Sequence, residues 1–221
     1  IAITDKFHDN PPNKDLLDSI KHAGYEICIL TERLFKEISD TENPQGILAV
    51  IRKKTYSFER VLSESSFILF LDSLQDPGNL GTIIRTADAA GADGIILSKG
   101  CVDLYNPKVL RATMGSIFHI PVLQAADLVE AIGIVRAKGF GVYAAHLKGK
   151  VNYFDVDMKK RTAIIIGNEA NGISEEISAQ ADMLVRIPMP GRAESLNASV
   201  AAGLLMYVVV RNRVHDRNQE V

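Results

Sequence analysis

The segment Ile187-Pro188-Met189-Pro190-Gly191-Arg192-Ala193-Glu194-Ser195-Leu196-Asn197-Ala198-Ser199 concentrates small polar groups in a proline-bounded loop just before an apolar stretch, Val200 to Val210. Backbone N–H groups at a helix start, with the side chains of Ser195, Asn197 and Ser199, either cap the helix or hold the polar atoms of a ligand. Taken alone, the loop leaves both uses open. Two other loops have the same character: Asp76-Pro77-Gly78-Asn79-Leu80-Gly81-Thr82-Ile83-Ile84-Arg85, and Gly167-Asn168-Glu169-Ala170-Asn171-Gly172. The first lacks both the GxxxxGK[ST] spacing of a phosphate loop and the GxGxxG of a dinucleotide site. Arg85 falls one helical turn after Gly81, so its side chain is expected to point back towards the loop mouth. Ser195 sits in no GxSxG elbow, which argues against an acyl-type nucleophile.

The elements that must position these loops alternate. Ile1 to Thr4, Glu26 to Leu30 and Gly46 to Arg52 read as strands, with helical spacing over Asp15 to Ala23 and a short helix from Thr31. A polar interruption, Lys53 to Ser66, marks a boundary near a linker helix at Ser57 to Val61. Beyond it, strands are expected at 67–71, 94–97, 120–123, 141–145, 161–166 and 183–187. Helices are expected at 82–90, 107–114, 128–137 and 174–180, with a last one through Val200 to Val210. Near-continuous apolar strands alternating with helices imply an α/β fold whose mainly parallel sheet is covered on both faces. In such sheets ligands sit beyond the carboxyl ends of the strands, which is where all three polar loops emerge.

A chain of 221 residues, 47% hydrophobic, suffices for one or two domains. The net charge of −2 does not advertise nucleic acid, although local basic runs exist at Arg52-Lys53-Lys54, Lys148 with Lys150, and Lys159-Lys160-Arg161. Cys28 and Cys101 lack metal-ligand or disulfide spacing, and no His, Cys and Asp cluster suggests a metal. No apolar run is long enough to span a bilayer. Together with the lone cysteines and the lack of a signal-peptide pattern, this gives a cytoplasmic expectation. The chain opens at Ile1 in a strand-like context, so further residues are expected upstream.

The three loops together resemble the motifs of the SpoU/TrmH family of RNA ribose 2′-O-methyltransferases, within the SPOUT class. They match as Asn79-x-Gly81-x-x-x-Arg85-x-Ala87, Gly167-Asn168-Glu169-x-x-Gly172, and Ile187-Pro188-Met189-x-Gly191-x-x-x-Ser195-Leu196-Asn197-x-Ser199, in order and over roughly residues 66 to 210. The segment Asn106-Pro107 to Pro121, with Met114-Gly115-Ser116, is similar to the family's middle region. Residues 1 to 53, with Asn43-Pro44-Gln45-Gly46-Ile47, resemble the tail of the small ribosomal-protein-like RNA-binding domain that many members carry.

The resemblance implies an organisation: a partial RNA-binding domain at 1–55, a linker at 56–65 and a methyltransferase domain at 66–221 with a C-terminal trefoil knot. It implies S-adenosylmethionine as cofactor, held by Gly167, Ile187 and Leu196, with Met189 and the segment Thr113, Met114 and Gly115 as neighbours. Catalytic roles fall to Arg85, Asn79, Glu169, Ser195 and Asn197. The implied partners are RNA, rRNA ahead of tRNA and 23S rRNA in particular, and a second copy of the chain in a homodimer; no metal and no membrane are implied. The alternatives are a tRNA 2′-O-methyltransferase and a non-catalytic knotted RNA-binding or ribosome-assembly protein.

Overall fold

The structure, a computed structural model, describes residues 1–39, 41–62, 66–158 and 161–217, the side chains of 215–217 excepted. Residues 63–65 of the expected linker, and Lys159 and Lys160 of the last basic run, lie outside the described residues. The chain divides into a unit at Ile1–Lys54 and a unit at Thr55–Val221.

In the first unit, β1 (Ala2–Thr4) pairs in parallel with β2 (Cys28–Leu30) and antiparallel with β3 (Ile47–Leu48). Between them run α1 (Asp5–His8), α2 (Lys14–His22) and α3 (Glu32–Ile38). Thr4 and Thr31 start α1 and α3, their hydroxyls accepting the Phe7 and Leu34 N–H groups. Ile3, Leu17, Ile20 and Phe35 are buried in this unit. The expected strand Gly46 to Arg52 stops after Leu48, and Val50 and Ile51 are 90% and 59% exposed. β-branched residues favour a strand only where a neighbour receives them, and none is paired with these two.

The second unit begins with α4 (Phe58–Leu62), then β4 (Phe67–Leu71), α5 (Pro77–Ala89), β5 (Gly94–Leu97), α6 (Pro107–Ala112) and β6 (Val122–Gln124). It continues through α7 (Leu128–Ala137), β7 (Gly141–Ala145), β8 (Val151–Asn152), β9 (Thr162–Ile166), α8 (Glu175–Ser178), β10 (Met183–Arg186) and α9 (Ala198–Arg217). The sheet has the order β6-β5-β4-β9-β7-β10-β8 and is parallel at every pairing. Strand residues divide between its faces with period 2. Phe67, Leu69 and Leu71 join one core with Ile83 of α5 and Leu205 of α9, while Ile68 and Phe70 join a second with Ile132 of α7. β9 divides likewise, Ile164 and Ile166 on one side and Ala163 and Ile165 on the other. Covering both faces is what makes these strands apolar at every position.

Two helices begin earlier than expected by two residues or more. α5 begins at Pro77 rather than Thr82, because the Asp76 carboxylate accepts the Asn79 N–H at 2.7 Å and Pro77 occupies the first helical position, where a missing N–H costs nothing. Gly78 and Gly81 read as loop residues in the sequence, yet both lie inside α5. A Cβ on Gly81 would stand 2.4 Å from the Ala112 Cβ and 2.8 Å from the Val109 carbonyl, so the glycine sets the close packing of α5 on α6. α9 begins at Ala198 and runs to Arg217, beyond the apolar stretch that announced it. The short edge strand β8 carries no periodicity of its own and was not expected.

After β6 the chain crosses to the far side of the sheet, builds β7, and returns as β9 between β4 and β7. The polar loops leave the carboxyl ends of β4, β9 and β10, the first two adjacent and the third one strand away. That order change is the crevice in which open α/β sheets hold ligands.

Candidate active site

The first two loops are stitched together by side chains. Asp72, buried directly after β4, accepts the Ser174 N–H at 3.0 Å. The Asn168 amide donates to the Ser73 carbonyl at 2.7 Å, and its Oδ1 accepts the N–H groups of Ala170 and Asn171. Ser73 holds φ 55°, an unfavourable conformation for a residue with a Cβ, and its N–H is held by the Ser98 hydroxyl at 2.8 Å. Inside the second loop Asn168 and Gly172 form a bridge. A Cβ on Gly167 would lie 2.2 Å from the Gly172 carbonyl carbon and 2.3 Å from the Ile173 nitrogen. The missing side chain at Gly167 is therefore filled by the loop's own backbone, and glycine there serves loop closure.

The third loop joins them through amides. The Asn79 Nδ2 donates to Glu169 Oε1 at 2.9 Å, and the Asn197 Nδ2 donates to Asn79 Oδ1 at 2.9 Å. The Asn197 Oδ1 then accepts the Ser199 N–H at 2.9 Å, the Ser199 hydroxyl at 2.6 Å and the Val200 N–H at 3.3 Å. A carboxylate has only acceptors to offer, so Glu169 fixes the direction of both amides down to the helix start. Asn197 thus caps α9 and ties it to α5 with the same side chain.

Beside this relay lies a cavity of about 530 Å³, within the range of small-molecule sites. Of the residues expected at the site, Gly167, Glu169, Ile187, Met189, Ser195 and Leu196 line it. Asn79, 9% exposed, and the exposed Asn197 are not among the lining residues and form the relay beside it. Thr113, Met114 and Gly115 are not among the lining residues: Thr113 is fully buried with its hydroxyl on the Leu110 carbonyl, and Met114 is 72% exposed. Arg85 is likewise outside the lining, exposed, and without a hydrogen-bond or ion-pair partner among the described residues. It sits in α5 one turn after Gly81 and six residues beyond Asn79, about 9 Å from Asn79 along the helix axis.

The lining also contains residues that the motifs did not single out: His146, Leu147 and Lys148 after β7, together with Glu175 and Glu194. The available signal was positional, since the 146–150 turn follows a parallel strand at the same end of the sheet. A second polar pair joins Asp88 of α5, one turn past Arg85, to His119 in the segment between α6 and β6. His119 Nδ1 lies 2.9 Å from Asp88 Oδ2, and hydrogen bonds from His119 and Ser116 hold the Asp88 carboxyl below its ordinary range.

Residues 66–207 match the SpoU rRNA methylase family model, and residues 1–57 match the model for RNA 2′-O ribose methyltransferase substrate binding. The chain belongs to the SpoU rRNA methylase family. It is 39% identical over 185 residues to the 23S rRNA (guanosine(2553)-2′-O)-methyltransferase RlmP of Bacillus subtilis, covering 84% of this chain and 73% of that one. The SpoU methyltransferase AviRb from Streptomyces viridochromogenes, solved with its cofactor AdoMet, superposes with a TM-score of 0.85 at 30% identity, over 96% of this chain and 82% of that one. An AdoMet-bound rRNA methyltransferase from Sinorhizobium meliloti superposes with a TM-score of 0.83 at 35% identity, over 95% and 79%. The family therefore gives this chain an S-adenosylmethionine-dependent methyltransferase unit and a small N-terminal substrate-binding domain. Among the described residues no His, Cys, Asp and Glu group could hold a metal ion, and no helix is long and apolar enough to cross a membrane.

Proposed function

We propose that this chain methylates a ribose 2′-hydroxyl in structured RNA, with 23S rRNA as the target and S-adenosylmethionine seated in the 530 Å³ cavity. The observation that carries this reading is the relay Glu169–Asn79–Asn197, which locks three sequence-distant loops into one cavity rim. The rRNA target draws on the B. subtilis relative, whose substrate is 23S rRNA, and on the N-terminal substrate-binding match.

The cavity fits the cofactor in size and in its mixture of apolar walls with loop backbone. When bound, S-adenosylmethionine supplies a methyl group on a positively charged sulfur, already joined to a good leaving group. The chain's task is then alignment and assistance to loss of the hydroxyl proton. In this reading the backbones of Gly167, Ile187 and Leu196 hold the cofactor against Met189, while Thr113, Met114 and Gly115 enter through the family resemblance and not through the cavity lining. Ser195 and Asn197 face the reacting groups, and Asn79 and Glu169 hold them in place. A guanidinium has donors and no acceptor, so Arg85 positions an RNA phosphate or stabilises the developing alkoxide, and does not act as a base.

The reading extends to a trefoil-knotted C-terminal segment, supported by the return of β9 between β4 and β7. It divides the chain into an RNA-binding domain at 1–55, a linker at 56–65 and a methyltransferase domain at 66–221, and it places the protein in the cytoplasm, supported by two free cysteines. It includes a homodimer through α9. Val200, Tyr207 and Val214, seven residues apart, are 50%, 52% and 52% exposed on a helix whose other side is buried. Light scattering that shows only monomer at micromolar concentration would overturn the dimer.

The activity is tested by incubating the protein with labelled S-adenosylmethionine and either rRNA or tRNA, then digesting and identifying the labelled nucleoside. A 2′-O-methyl nucleoside from rRNA is expected. Label on a base removes the ribose assignment, and label in tRNA alone moves the target.

A further inference from the structure

We infer that Glu194 makes the cavity prefer the cofactor, with its positively charged sulfur, over the product, whose sulfur is neutral. This rests on the assignment of the cavity to S-adenosylmethionine. Three carboxylates line the cavity, those of Glu169, Glu175 and Glu194, against the single lysine Lys148. Two of the three have structural work. Glu169 accepts the Asn79 amide, and Glu175 occupies the first turn of α8, where the helix favours an acidic residue. Glu194 is exposed, and among the described residues it has no hydrogen-bond or ion-pair partner. It directly precedes Ser195 in the loop that forms the third wall.

The chemistry of transfer defines what such a carboxylate senses. The ribose 2′-oxygen bonds to the methyl carbon as the carbon–sulfur bond breaks, that bond's electron pair stays on sulfur, the hydroxyl proton passes to solvent, and the sulfonium becomes a neutral thioether. The adenosine, ammonium and carboxylate groups of the ligand are unchanged. Cofactor and product thus differ in the charge on sulfur and in the methyl group itself, and an unpaired carboxylate on the cavity wall responds to the first. A unit charge pair about 6 Å apart, at effective dielectric constants from 20 to 80, corresponds to roughly a 3- to 100-fold difference in affinity. Glu194 is solvent-accessible, which puts the expected effect near the lower end, about fivefold. The consequence is easier release of the spent cofactor after each turnover.

Calorimetry of the wild type, Glu194→Gln and Glu194→Asp with S-adenosylmethionine and with S-adenosylhomocysteine tests the inference, with ligand-free melting curves to establish that all three are folded. Glu194→Gln is expected to narrow the preference for cofactor over product about fivefold, chiefly through weaker cofactor binding. Glu194→Asp keeps most of it, and 1 M salt narrows the wild-type preference towards that of Glu194→Gln. An unchanged ratio, or equal losses for both ligands, overturns the role of Glu194. If the wild type binds neither ligand, the cofactor assignment of the cavity falls, and the inference with it.

Discussion

Asn79 and Asn197 lie 118 residues apart in sequence and meet amide to amide, the Asn197 Nδ2 donating to the Asn79 Oδ1 at 2.9 Å. Asn79 is in the first turn of α5 and Asn197 caps α9, so one hydrogen bond joins the starts of the two helices that cover the same face of the sheet. Because the other end of Asn79 donates to Glu169, neither asparagine can turn over without leaving a polar atom unpaired. A network with only one consistent direction is a rigid support for a reacting geometry.

Asn79→Ala removes the centre of this network and leaves the Glu169 carboxylate and the Asn197 amide without their partner. The expected result is a loss of roughly 100-fold in kcat, as for misplaced reacting groups, with a destabilisation of about 1–3 kcal/mol. In a double-mutant cycle with Asn197→Ala, the second substitution should cost much less once the first is made, with a coupling of about 0.5–3 kcal/mol in denaturant titrations. Fully additive losses would separate the two residues.

Arg85 is exposed and unpaired among the described residues, so its removal has little to destabilise. Arg85→Ala is expected to abolish methyl transfer while leaving the melting temperature within about 2 °C and the cofactor Kd nearly unchanged. A large loss of cofactor affinity in calorimetry would instead make Arg85 part of the pocket.

Gly167→Ala forces a methyl group into the backbone of Gly172 and Ile173. No flexible side chain is present to move aside, so the second loop must open. A destabilisation of about 1–3 kcal/mol is expected, with weaker cofactor binding by calorimetry. Unchanged stability and affinity would show that the loop has another packing available.

The Asp88–His119 pair gives a pH dependence with a definite sign. The Asp88 carboxyl is held below the usual carboxylate range by hydrogen bonds from His119 and Ser116. A depressed carboxyl contributes stability above its unfolded pKa, and that contribution disappears as pH falls through the folded value. Asp88→Asn should therefore cost a few tenths to about 1 kcal/mol at neutral pH, and this difference from wild type should shrink progressively as pH falls below about 4 in chemical denaturation series. A difference that does not shrink at all on acidification contradicts the pairing.

The cysteines should label unequally. Cys28 is exposed, whereas burial raises the Cys101 thiol and its Sγ lies 3.3 Å from the Leu71 carbonyl. Under native conditions near pH 8, mass spectrometry should find alkylation at Cys28 well before Cys101. Equal rates would mean that the strand end at Leu71 opens readily.

Much of this molecule was legible from residue order. The apolar runs at 67–71 and 162–166 specified strands buried on both faces, because only a strand covered twice can be apolar at consecutive positions. The spacing of Asn79, Gly81, Arg85, Glu169, Ser195 and Asn197 identified the family and, with it, the cofactor. Local chemistry was harder to read where two signals competed: Gly78 and Gly81 suggested a loop, but the Asp76 cap with Pro77 started the helix earlier. Val50 and Ile51 had strand propensity without a partner strand to use it.

Only the tertiary structure decided which atoms the motif residues touch. It joined Asn79 and Asn197 in a relay beside the cavity, kept Arg85 and the 113–115 turn out of its lining, and brought His146, Lys148 and Glu194 into it. Hydrogen bonds between residues 90 and 118 positions apart depend on strand order and helix packing, and residue spacing along the chain carries no record of either. Residue types and spacing determined the chemistry this protein performs, and the crossing order of β4, β9, β7 and β10 decided which side chains stand where that chemistry happens.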